Sequence, residues 1–177
     1  MADRKLELKR RGNRLLTRRS FEEAEEVFGK LVSEYPDARE GYVGLAKVLQ
    51  RTDRYEATVN LLEPVAENLG SAQILRLLGD ACRVLANRGK HEFVDRAISY
   101  YRSYHALRPD PVSLYYEADL LSKAKRDYEA ALASYRASWD LDPRGRDAYM
   151  GVLNCLRQLD RLDELGEIKD LWKSRNS

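Results

Sequence analysis

Apolar positions recur at helical spacing along almost the whole chain, and the clearest stretch is Tyr128–Pro143, YEAALASYRASWDLDP. Its apolar residues fall at three- and four-residue intervals and its proline stops the helix. FEEAEEVFGKLVSEYP ends in the same way at Pro36, and VDRAISYYRSYHALRP at Pro109. In each segment an alanine (Ala24, Ala97, Ala131) is followed four residues later by an aromatic ring (Phe28, Tyr101, Tyr135), and the proline comes eight residues after that. A segment that returns at a fixed interval marks a repeat array. The pattern predicts an all-α chain, a single array over residues 1–177. About five helix pairs are expected, near 5–38, 39–71, 72–111, 112–145 and 146–177.

Local signals place the helix ends. Ser20 with Glu23 and Asp37 with Glu40 read as capping boxes, and Asp110 with Pro111 reads as an N-cap followed by a first helical residue. NRGKHEF lengthens the turn of the third pair, and its Lys90 and His91 are candidates for a loop function.

Composition narrows the class. Net charge is +2, too small by itself to imply binding to nucleic acid or membrane. No apolar run approaches a membrane span, and the basic start lacks the apolar core of a signal peptide, so a cytoplasmic protein is expected. The two cysteines, Cys82 and Cys155, sit in apolar helical contexts without a CxxC partner and read as small buried residues. No His, Cys and carboxylate cluster has ligand spacing, and there is no Gly-rich phosphate loop or nucleophile motif. The sequence therefore reads as a non-catalytic chain with no cofactor and no metal.

The residues quoted above resemble the tetratricopeptide repeat (TPR), a helix–turn–helix unit of 34 residues. Gly12, Ala46 and Gly79 match the small position of the first helix, and Ala24, Ala97 and Ala131 that of the second. Phe28, Tyr101 and Tyr135 match the aromatic position, and Pro36, Pro109 and Pro143 close their units. The second unit departs from the pattern at Thr58 and Leu62, and the fifth at Leu153 and Leu165. The resemblance implies a right-handed α-superhelix, or solenoid, with the first helix of each unit lining a concave groove that binds a partner protein. Stacking is also what the apolar faces demand, since no single pair can bury both of its own.

On that geometry the groove candidates are Lys9, Arg10 and Asn13 in the first unit, Lys47 and Arg51 in the second, and Arg76, Leu77 and Arg83 in the third. Tyr116 and Lys123 follow in the fourth, and Met150 and Arg157 in the fifth. Glu40, Asp80 and Glu117 are interspersed among them. The surplus of basic groups favours an acidic or extended peptide segment of a partner protein, with Leu77, Tyr116 and Met150 as apolar anchors.

Co-chaperones that bind heat-shock chaperone tails are similar at Lys9 and Asn13, two members of their carboxylate clamp. Gly44, Gln73 and Leu77 stand where the clamp needs other groups. A helical-repeat RNA-binding role is the rival reading, because residues 4–19 carry eight basic side chains. The groove lacks a repeated pair of base-reading side chains, however, and Glu40, Asp80 and Glu117 interrupt its basic groups, so nucleic acid is not the expected partner. At the other end Leu162, Leu165, Ile168, Leu171 and Trp172 form an apolar helix. Either a further cap covers it, or it docks on something such as another copy, with Leu165 and Trp172 as the association surface.

Overall fold

The structure is a computed structural model that describes residues 2–176. It contains ten α-helices: α1 (Ala2–Thr17), α2 (Phe21–Glu34), α3 (Arg39–Arg51), α4 (Tyr55–Leu69), α5 (Ala72–Asn87), α6 (Val94–Leu107), α7 (Pro111–Leu120), α8 (Tyr128–Leu141), α9 (Arg146–Gln158) and α10 (Leu162–Asn176). No strand occurs among the described residues. The chain divides into two compact units at Arg88 and Gly89. The division falls inside the lengthened turn of the third predicted pair, where Gly89 adopts a positive φ of 88° and His91–Phe93 form a 3-10 turn.

In the first unit α1, α3 and α5 lie side by side, with α2 packed on α1 and α3 and with α4 packed on α3 and α5. The predicted aromatic and small positions explain this packing. Phe28 is buried against Leu8, Ala24, Val27 and Leu31, with Leu15, Leu16 and Phe21 at the margin. Gly12 of α1 and Gly44 of α3 both face its ring. Tyr135 of α8 has the same role in the second unit, where the backbone of Gly151 in α9 lies against the ring. In that unit α8 packs on α7 and α9, α10 packs on α9, and α6 packs on α7.

The turns within pairs repeat more strictly than the sequence does. Arg19, Asp53 and Asp160 are left-handed, with φ of 63°, 65° and 56°. The next amide in each case reaches back to a carbonyl five residues earlier: Ser20 to Leu15 (3.0 Å), Arg54 to Leu49 (2.8 Å) and Arg161 to Leu156 (2.9 Å). This is Schellman closure of the preceding helix. It explains why the expected Ser20 capping box is absent: the residue serves the end of α1, and its side chain makes no cap bond to α2. The Asp37 box is absent too, because α3 starts after Ala38, which is fully buried.

Three side-chain caps do form. Ser71 accepts from the Gln73 amide at 3.2 Å, Asp110 from the Ser113 amide at 3.0 Å and Asp127 from the Ala130 amide at 3.1 Å. The fourth turn is wound differently. Leu121–Lys125 are π-helical and left-handed Arg126 follows, with the Asp127 amide reaching back to Leu121 at 3.0 Å. The wider winding accommodates one residue more than the turns at Arg19, Asp53 and Asp160 carry.

Candidate functional site

Three first helices and one turn build a groove in the first unit. Leu16 and Thr17 come from the end of α1, Arg19 from the turn and Phe21 from the start of α2. Lys47, Gln50 and Arg51 come from α3, and Gln73, Arg76, Leu77 and Asp80 from α5. Together they enclose about 760 Å³. Residues three and four apart share a face of a helix, which is why Lys47 and Arg51 of α3 open onto the same space as Gln73, Leu77 and Asp80 of α5. The amide of Gln50 donates to the Leu77 carbonyl at 2.8 Å, tying α3 to α5 beneath the opening. Leu77, only 8% exposed, is part of the floor.

The charges in this groove are unevenly satisfied. Arg76 lies 3.9 Å from Asp80 on the next turn of the same helix. Arg19, Lys47 and Arg51 make no ion pair among the described residues. A second hollow of about 230 Å³ adjoins the groove and shares Lys47 and Gln73 with it. Lys9, Asn13, Arg39, Glu40, Val43 and Gly44 complete its lining. Here the positive charge is already answered: Lys9 donates to Glu40 at 3.3 Å and Lys5 lies 4.0 Å from the same carboxylate. The Glu40 carboxyl is held below its usual range by its own backbone amide and by Lys9. A lysine so engaged is a poor carboxylate clamp, and an asparagine at position 44 would meet the Phe28 ring.

Other expected groove residues lie elsewhere. Arg10 is on the outer face of α1, beside Leu6, Arg11 and Arg14. Arg83 is half-buried on α5 and lies outside both hollows. In the second unit Tyr116 borders a separate hollow of about 340 Å³ with Tyr115, Pro111 and Val112, and its ring lies 6.1 Å from that of Tyr101. Lys123, Met150 and Arg157 are outside that hollow. Lys123 sits in the π-helical turn and is paired with Asp119 at 2.7 Å, while Met150 is 46% exposed.

Glu117, expected on an open face, is 4% exposed. It accepts from Arg102 at 2.9 Å and lies 3.8 Å from Nε2 of His105, so it ties α7 to α6. The expectation failed because α6 covers that face of α7.

The C-terminal helix also differs from expectation. Trp172 stacks on Tyr149 at 4.3 Å and 15°, with Trp139 at 6.2 Å, and Leu165 is buried. The apolar stripe of α10 is thus used within the chain, because its spacing turns Leu165, Ile168 and Trp172 inward onto α8 and α9. Leu162 and Leu171 remain exposed.

Arg19, Phe21 and Gln50 were not anticipated. Arg19 and Asp53 stand 34 residues apart at equivalent positions of two successive turns, and that interval is the available signal.

Among the described residues no group of three His, Cys or acidic side chains is placed to hold a metal, and no helix is long and apolar enough to cross a membrane. No protein-family model and no curated protein matches the sequence. Solved structures do match by shape. A crystal structure of MamA protein superposes with a TM-score of 0.81 at 16% identity, covering 99% of this chain and 93% of the other. MamA 41-end from Desulfovibrio magneticus RS-1 gives 0.74 at 18% identity, covering 99% and 98%. YrrB, described as a TPR protein with an unusual peptide-binding site, gives 0.73 at 19% identity, covering 93% and 82%. Identity this low speaks to fold alone, and on that evidence the chain has the all-α helical-repeat fold of the tetratricopeptide-repeat proteins.

Proposed function

We propose that this chain is a non-catalytic protein-interaction scaffold that takes an acidic, extended segment of a partner protein in the groove of its first unit. The observation that carries the reading is the lining: Arg19, Lys47 and Arg51, without ion-pair partners among the described residues, around an apolar floor of Leu16, Phe21 and Leu77. Charge on the rim and apolar surface beneath is the division of labour that peptide sites use, with the apolar floor giving affinity and the cations giving register and partner choice. Exposed ion pairs contribute only about 0.2–1 kcal/mol each, so the floor has to take part. The peptide-binding site named for YrrB supports the use of this fold for peptide capture.

Selection from a random peptide display library tests the reading. Segments carrying two or more Asp or Glu residues together with an apolar residue should be enriched. A selected peptide should lose at least about tenfold in affinity, roughly 1.4 kcal/mol, for a folded Lys47→Glu/Arg51→Glu variant. A selected set without acidic excess, or equal binding by that variant, would overturn it.

A further inference from the structure

The outer face of α1 carries Arg10, Arg11 and Arg14, and Arg18 follows directly in the turn, its amide donating to the Arg14 carbonyl at 3.1 Å; all four are exposed. At about 100° per residue, Arg10, Arg14, Arg18 and Arg11 fall at roughly 0°, 40°, 80° and 100° around the helix. They occupy one stripe about 100° wide that also holds Asp3 and Glu7, at about 20° and 60° on the same wheel. Leu15 and Leu8, at about 140° and 160°, border it and face the core. The two lysines of the same helix, Lys5 and Lys9, are both drawn to Glu40. Elsewhere in the unit Arg4 pairs with Glu7, Arg54 with Glu25 and Arg88 with Asp53. The four stripe arginines make no ion pair among the described residues. The unit therefore leaves guanidinium groups unanswered along one side of one helix, apart from the peptide groove.

We infer that this stripe is a second binding surface, one that takes the phosphate backbone of nucleic acid without reading its sequence. Two features favour that partner. From residue 10 to residue 18 the backbone advances about 12 Å, so four positive charges fall within a length of duplex axis over which one strand carries roughly three to four phosphates, one per about 3.4 Å of axis. The groups are all guanidinium, whose planar fork matches phosphate oxygens in a bidentate way. No base-reading set of Asn or Gln side chains accompanies them on this face: Leu6, Glu7 and Asp3 are the other residues around the hollow beside Arg10, Arg11 and Arg14. With only about four phosphate contacts, affinity belongs at the weak, non-specific end of protein–DNA binding.

The test is fluorescence anisotropy of the whole chain with a fluorescein-labelled 20-base-pair DNA duplex over a range of salt concentrations. The plot of log K against log salt should have a slope near −3.6 for four phosphates at about −0.9 each. Arg10→Gln/Arg14→Gln/Arg18→Gln should reduce the slope to about −0.9, with helicity unchanged by circular dichroism. The groove variant Lys47→Glu/Arg51→Glu should bind the duplex through the unchanged stripe. Failure to bind at low salt would overturn the proposal. So would a slope indifferent to the triple substitution, or equal binding of a poly-glutamate peptide or of phosphatidylserine vesicles at matched charge. Each of the last two results would give the stripe to an acidic protein tail or to a lipid surface.

Discussion

Gly44 of α3 lies so close to Phe28 of α2 that a methyl group added at its Cα would come within 2.2 Å of the ring's Cε1 atom. Gly12 of α1 meets the same ring from its own pair, at 2.7 Å. One aromatic side chain thus fixes how closely its own first helix and the next can approach. Because Phe28 is buried on all sides, it has little room to retreat. Gly44→Ala should cost about 1–3 kcal/mol, the usual penalty for overpacking a core. Urea unfolding should show a lower midpoint, and the loss should shrink when Phe28→Leu is introduced first. An equal loss in both backgrounds would place the strain elsewhere.

Arg126 follows the π-helical turn in a left-handed conformation, with φ of 56°. A residue with a Cβ pays roughly 1–2 kcal/mol there and glycine does not, although glycine gives back about 0.5–1 kcal/mol through the unfolded chain. Arg126 is exposed and makes no ion pair among the described residues, so nothing else is lost on replacement. Arg126→Gly should raise stability by about 0.5–1 kcal/mol, read as a higher unfolding midpoint. A lower midpoint would contradict this account of the turn.

Burial pushes the His105 imidazole below its ordinary range, against the opposing pull of Glu117 and Asp110. Arg102 of α6 and Glu117 of α7 are the charged groups held together beside it. A histidine with a depressed folded-state value binds fewer protons folded than unfolded. Stability is therefore full above the unfolded value near 6.5 and falls as pH drops through it toward the folded value. The carboxylates held low by partners, such as Glu25, Glu40 and Glu164, act only at more acidic pH. Thermal unfolding measured between pH 7 and pH 5 should therefore show a loss that His105→Gln abolishes. An identical pH profile in the variant would sink the assignment.

Trp172 covers Tyr149 and approaches Trp139, with Arg175 over the Trp139 ring at 4.7 Å. Trp172→Ala should lower stability by about 1–3 kcal/mol, from lost area and ring stacking, and leave the sedimentation mass unchanged. A wild-type mass that falls with dilution, lost in a Trp172→Ala variant of unaltered stability, would restore Trp172 to an association surface.

Much of this fold was legible in the chain because packing demands repeat with it. The alanine–aromatic–proline spacing located α2, α6 and α8, and Asp110 with Pro111 located the start of α7. Ser20 misled because an N-cap serine and a Schellman C″ residue look alike in sequence, and the hydrogen bond from its amide to Leu15 decides between them. Spacing places residues on faces of a helix but does not say which face a neighbour covers. Glu117 was consequently expected in the open, and Trp172 was expected to seek a partner outside the chain. Lys9 was legible as a groove residue, whereas its capture by Glu40, 31 positions away, was not. Arg19 escaped because it belongs to a turn, and only the three-dimensional closure of α1 swings it beside Lys47 and Arg51.

The most direct test of the peptide groove is a two-dimensional amide NMR titration of the isotopically labelled chain with an acidic peptide from the display selection. The account predicts that the largest shift changes fall on Leu16, Lys47, Gln50, Arg51, Gln73 and Leu77. Changes confined to residues 89–176, or to α2 and α4, would contradict it.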